Sequence, residues 1–110
     1  MSAEYDPFAD EVAQEAEEPD DAALLSQLNI LLLGGQFTSH PGGRYAWLDF
    51  LKKEGLHKGK EPPMRSVPAE TRRRFWRESR EKNTALLKEN GNTIHRTILG
   101  VMAGPGAGAD

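Results

Sequence analysis

Cysteine is absent from the 110 residues, which excludes disulfide staples and thiolate metal ligands. Lysine and arginine are absent from residues 1–21, so the start of the chain has no basic region of a secretory signal. No apolar run is long enough to span a bilayer: the best of them, "AALLSQLNILLL", is broken by Ser26, Gln27 and Asn29. His40, His57 and His95 lie too far apart in sequence to place two metal ligands on one helix face. There is no phosphate-binding loop and no dinucleotide fingerprint. The glycines of "GPGAGAD" follow the last helical pattern and lead into no further element. Ser39-His40 is explained by capping better than by nucleophile–base chemistry. With the usual parts of an active site missing, the expectation is a non-enzymatic protein with no cofactor and no metal, in a soluble intracellular setting.

What the chain does contain is unevenly placed. Leu, Ile, Val and Phe number 22 of 110, a fraction at the edge of what a folded chain needs. Twenty of them fall between Ala22 and Met102, so the middle can build a modest core and the ends cannot. Charge is more uneven still. Residues 1–21 carry nine acids and no base, while the other 89 carry eight acids and 14 bases. The net −3 is therefore the sum of a −9 segment and a +6 body. Residues 1–20 are expected to be a disordered acidic arm and 103–110 a flexible tail. The acids of the arm, notably Glu11, Glu15, Glu17, Glu18, Asp20 and Asp21, are candidates for folding back over the basic body or for mimicking a nucleic acid.

Hydrophobic periodicity predicts an all-α domain over 21–102 with helices at about 21–33, 41–54, 68–90 and 93–102 and a linker at 55–67. Asp20 or Asp21 caps the first helix and Gly34-Gly35 stops it. Leu24, Leu25, Leu28, Leu31 and Leu32 form its buried stripe, widened by Ile30 and Leu33, which makes this helix central. In the second helix Thr38 or Ser39 caps near Pro41, and Gly42-Gly43 weaken the first turn enough that Arg44 is a competing start. Trp47, Leu48, Phe50 and Leu51 share its apolar face, and Tyr45 falls toward the charged side. The linker has two prolines, with a third, Pro68, directly after it, and Leu56 and Met64 are anchors for its ends.

The third helix carries "TRRRFWRESR" at 71–80. A helical wheel puts Phe75, Trp76, Ser79, Asn83, Leu86 and Leu87 in one arc, with Arg73, Arg74, Arg77 and Arg80 on the flank beside it. Ser79 and Asn83 make the middle of the arc less apolar than a deep core, and Arg72 falls within it, the pattern of a rim or an unfilled interface. The pairs Glu70–Arg74, Arg74–Glu78, Arg77–Glu81 and Glu78–Lys82 have the i,i+4 spacing of a solvated charged face. After "NGN", Thr93 is placed to cap the last helix. That helix offers only His95 and Arg96 to a nucleic acid, so a packed helical hairpin is the better reading than a DNA-reading motif.

These features make the chain a binding or assembly component of a larger complex, with a protein partner or a second copy as its target and no membrane. Its size and organisation fit an accessory or structural protein of a particle such as a virion. Tyr45, Trp47, Phe50, Arg72, Arg73, Arg74, Phe75, Trp76, Arg77 and Arg80 are the candidate contact residues, because aromatic residues and arginine concentrate in interfaces. Two other functions remain open on the same residues. The basic helix at 71–82 has the right chemistry to hold nucleic-acid phosphates, with the arm as an internal competitor. Residues 1–21 alone have the charge of an inhibitor that mimics an anionic ligand.

Overall fold

The computed structural model describes residues 18–104, and these form four α-helices joined by short turns, with no strand among them. Helix α1 spans Asp21–Leu33, α2 Arg44–Lys53, α3 Ala69–Asn90 and α4 Thr93–Met102. Single 3-10 turns at Gly35–Phe37 and Met64–Ser66 punctuate the connections. The expected all-α class and the four helices are thus present, and no helix among the described residues is long and apolar enough to cross a membrane.

Local chemistry sets the boundaries. Asp20 accepts a hydrogen bond from the Ala23 amide at 2.8 Å and caps α1 as expected. Gly91 closes α3 in the left-handed conformation with φ 64°, its N–H donating to the Leu87 carbonyl. Two caps differ from expectation. Asn92, rather than Thr93, caps α4 by accepting from the Ile94 amide. Neither Thr38 nor Ser39 caps α2, which starts at Arg44 after Gly43 without a side-chain cap. The Tyr45 amide instead donates to the Thr38 carbonyl, so the turn before α2 is tied by its own backbone. Gly43 makes that closure possible: a Cβ there would sit 1.7 Å from the Phe37 carbonyl oxygen.

The core gathers on one side of α1 and between the other three helices. Leu24, Leu28 and Leu31 of α1 meet Trp47 and Leu51 of α2, Phe75 and Trp76 of α3, and Ile98 and Met102 of α4. Trp47 sets its ring edge-on to Phe75 at 4.9 Å between centroids, and Phe50 lies 5.3 Å from the same ring. Contacts of this geometry add about 0.5–1.5 kcal/mol each beyond the area they bury. Helix α1 touches α2, α3 and α4, so it is central in the sense expected, and α3 and α4 pack against each other as the most extensive pair. The linker is pinned rather than loose. Leu56 and Met64 pack against the core, Val67 is buried within it, and Glu61 holds Arg44.

Two expectations about burial are corrected. Ile30 and Leu33 do not widen the buried stripe of α1; they are 52% and 79% exposed. The helix buries an arc of Leu24, Gln27, Leu28, Leu31 and Leu32, and a 13-residue cylinder touched from one side has no neighbour for the opposite arc. Conversely, the middle of the α3 stripe is no rim. Ser79 and Asn83 are buried, and Asn83 meets polar partners there.

Candidate functional site

Four of the proposed contact residues belong to the interior. Trp47, Phe50, Phe75 and Trp76 are all buried, Trp76 completely. The indole N–H of Trp76 donates to Gln27 Oε1 at 2.8 Å, which accounts for a glutamine on the inner face of α1. Buried polar groups of this kind need a partner, and here each is the other's. The face of α3 that the sequence left open to another chain is therefore covered by the chain's own α1 and α2. Reading these aromatics as a partner surface is corrected on that ground.

The polar middle of α3 forms a second internal site. Asn83 Nδ2 donates to the Pro41 carbonyl at 2.9 Å and to the Ser79 carbonyl at 2.8 Å. This fixes the amide orientation, so Asn83 Oδ1 faces His95 Nδ1 at 3.0 Å and the histidine must donate from that nitrogen. The His40 ring stands edge-on to His95 with centroids 5.7 Å apart. One buried asparagine thus ties the turn before α2 to both arms of the α3–α4 hairpin. Gly42 lies beside Ser79 and Ile98 in this turn, and its φ of 92° is what disfavours a side chain there. His95 is therefore not available as a reader of nucleic acid.

Burial, helped by the charge of His40, holds the His95 imidazole below its ordinary pKa of 6.5. The unfolded chain then takes up more protons than the folded one as pH falls below about 6.5, so stability contributed by neutral His95 is full above that value and declines beneath it. The expected result is a urea midpoint that falls between pH 7 and pH 5.5 in the native chain, with a smaller fall in His95→Gln.

The arginines behave differently from a solvated face. Arg74 does not close on Glu70 or Glu78 along its own helix; it reaches Glu54 after α2, with Nη1 to Oε2 at 3.0 Å and a second bond to Oε1. Arg74 also lies over the Phe50 ring. Arg77 grips Glu18 through Nε and through Nη2, the latter at 3.0 Å, and touches Glu70 one turn further away than the expected pairing. Arg73 donates to the Pro19 carbonyl and to Asp21 Oδ1, both at 2.7 Å, and lies 3.6 Å from Glu18. Arg72 is half-buried, donating to the Met64 carbonyl at 3.4 Å, and Arg80 lies over the Trp76 ring at 5.0 Å. The hydrogen bond from Arg77 is the main cause that holds the Glu18 carboxyl below the usual range; desolvation opposes it, and the charges of Arg77, Arg73 and Arg80 add to it.

Of the arm acids singled out, Glu18, Asp20 and Asp21 are thus engaged at α1 and α3, while Glu11, Glu15 and Glu17 lie outside the described residues. Tyr45 is 64% exposed on α2. Among the described residues no three His, Asp or Glu side chains gather as a metal site. A cleft of about 100 Å³ between α2 and α3 has Phe50 and Phe75 at its base and Asp49, Lys53, Glu78 and Lys82 around it. Its two acids and two lysines present no net charge, and Asp49 and Lys53 already pair at 3.1 Å.

The surface that sequence reasoning missed is the outer arc of α1. Ala22, Ser26, Asn29, Ile30 and Leu33 are all exposed and recur at helical spacing along one side. From Ala22 to Gly43 the chain runs 22 residues without a single Asp, Glu, Lys or Arg. That interval was the available signal, because an exposed helix face in a soluble domain ordinarily carries charge. No protein-family model, curated protein or solved structure matches this chain.

Proposed function

We propose that the protein is a non-enzymatic binding component of a larger protein assembly, and that it engages its partner through the outer arc of α1. The observation that carries this reading is the pair Ile30 and Leu33, exposed on a helix face with no charge. The centre of a protein–protein interface is depleted of charged residues, whereas the solvated surface of a monomer is rich in them. Most of the other candidate contact residues are engaged within the chain: Trp47, Phe50, Phe75 and Trp76 fill the core, and Arg73, Arg74 and Arg77 hold carboxylates of the same chain. The 13 residues of α1 offer a strip about 20 Å long.

The test is the double substitution Ile30→Asp/Leu33→Asp. Both side chains are exposed, so the circular dichroism spectrum and melting midpoint should stay within the range of ordinary surface changes, about 0.5 kcal/mol. Proteins co-purified with the tagged chain from its native host should be lost at least tenfold. Retention of the same co-purifying proteins by the folded double variant would remove this surface from consideration.

A second reading keeps one supporting observation. Arg73 and Arg77 hold Glu18 in a fork whose geometry equally suits a phosphate, so the basic flank of α3 is a nucleic-acid surface if the arm gives way. Under that reading Glu18→Gln/Asp21→Asn binds a single-stranded oligonucleotide more tightly than the native chain, and binding falls steeply with salt. Absence of binding by both proteins at low salt excludes it.

A further inference from the structure

The linker returns along α2 rather than leaving it. The Leu56 amide donates to the Leu51 carbonyl at 2.9 Å just past the end of α2, and Glu61 then holds Arg44, the first residue of that helix. Residues 56–61 therefore run antiparallel beside α2, on the side of Arg44. Helical spacing puts Arg44, Tyr45, Leu48 and Lys52 within one arc of about 100°. Tyr45 and Lys52 are the exposed members of that arc, and Lys58 and Lys60 are exposed on the linker between its two anchors. The charges on this side do not cancel. Every acid between residues 44 and 61 already has a base: Asp49 pairs with Lys53, Glu54 with Arg74 and Glu61 with Arg44. Lys52, Lys58 and Lys60 pair with no carboxylate among the described residues. The described acids before α1 and at its start are engaged elsewhere: Glu18 and Asp21 are held on α3, and Asp20 caps α1.

From this we infer that the side of α2 flanked by its linker binds single-stranded nucleic acid, with Lys52, Lys58 and Lys60 taking phosphates and Tyr45 stacking on a base. The three lysines supply positive charge that no internal acid offsets, which suits a run of phosphates. Tyr45 supplies what a purely acidic peptide has no use for: a flat ring, 64% exposed, beside that charge. A single exposed aromatic reaches a base face only where the base is unpaired, so the ligand is a single strand rather than a duplex. Lysine is a point charge without the planar fork that reads base edges, so the binding follows the backbone and is tolerant of sequence. This surface rests on neither the outer arc of α1 nor the arginine flank of α3, and it fails or stands independently of both.

The test is fluorescence anisotropy of a labelled oligothymidylate of about 12 nucleotides, within the range of single-strand sites, titrated with the full chain. The native chain should bind at low salt, and log K should fall against log salt with a slope of about −2, from three phosphates on a single strand. Lys52→Gln/Lys58→Gln/Lys60→Gln should bind at least tenfold more weakly, with a nearly flat salt dependence. Tyr45→Ala should weaken binding about fivefold or more with the slope unchanged, and Tyr45→Phe should restore it. All of these side chains are exposed, so the circular dichroism spectra should match that of the native chain. Arg73→Gln/Arg77→Gln should retain binding, and polyglutamate should compete far less well than unlabelled oligonucleotide. No binding by the native chain at low salt would overturn the inference. So would native affinity in the triple lysine variant or in Tyr45→Ala, loss of binding in the arginine variant alone, or equal competition by polyglutamate, which would mark a patch for acidic peptides.

Discussion

Trp76→Ala is expected to remove most of the stability of the fold. The ring is completely buried, contacts the core formed by α1 and α4, and carries Arg80 on its outer side. Truncating a buried tryptophan to alanine costs about 3–5 kcal/mol, against a total of about 5–15 kcal/mol for a small domain. The loss here has a second source, because Gln27 Oε1 is left inside α1 without its donor. Trp76→Phe separates the two. It keeps most of the apolar volume but strands the glutamine, at a cost of about 1–3 kcal/mol. Urea titrations followed by circular dichroism should therefore order the three chains as native, Trp76→Phe and Trp76→Ala, with the last unfolded or nearly so without denaturant. A folded, cooperatively melting Trp76→Ala would mean that the aromatic face is not the interior.

Asn83→Leu is expected to have the second largest effect, although it adds apolar character to a buried site. Asn83 holds the Pro41 carbonyl and His95 Nδ1 in the interior, and leucine satisfies neither. Each orphaned group costs about 1–3 kcal/mol, so a loss on the order of 3 kcal/mol is expected from equilibrium unfolding. Because the asparagine and His95 share one bond, Asn83→Leu/His95→Leu should be less destabilised than the sum of the two single changes. The pH dependence between pH 7 and 5.5 should persist in a folded Asn83→Leu, since burial and the charge of His40, not the asparagine, hold the imidazole down. Additivity of the two substitutions would separate residues that the structure joins.

Most of the fold was legible because it rests on short-range rules. The 3–4 spacing of Leu24, Leu28 and Leu31, the Asp20 cap and the glycine at 91 each act within a few residues. What was not legible depended on which element meets which. The aromatic pair on α3 reads equally well as interior or interface until α1 and α2 are placed over it. Ser79 and Asn83 look too polar for a core when taken along α3 alone; the Pro41 carbonyl and His95 that satisfy Asn83 come from other elements. The same applies to the arginines, whose i,i+4 acids are in the sequence but whose actual partners, Glu18, Asp21 and Glu54, are 20 to 59 residues away. Ile30 and Leu33 were assigned inward because α1 is apolar almost all round, a pattern that cannot by itself say which arc faces solvent.

In functional terms the arginine-rich helix changes its role. It begins as the apparent contact surface and ends as the member that binds the chain's own acids. The proposed contact surface is instead the outer side of α1, which has no charge to solvate it. This arrangement places a neutral, apolar arc and a charge-clasped helix on one small scaffold, and only the first is without an internal partner for its side chains of greatest exposure, Leu33 and Ile30.

The most direct measurement is site-specific photo-crosslinking in the native host, with the reactive side chain placed at Leu33 in one chain and at Arg77 in another. Position 33 is expected to give a crosslink to a discrete protein and position 77 none beyond the chain itself. A discrete protein or nucleic-acid crosslink at position 77, with none at position 33, would contradict it.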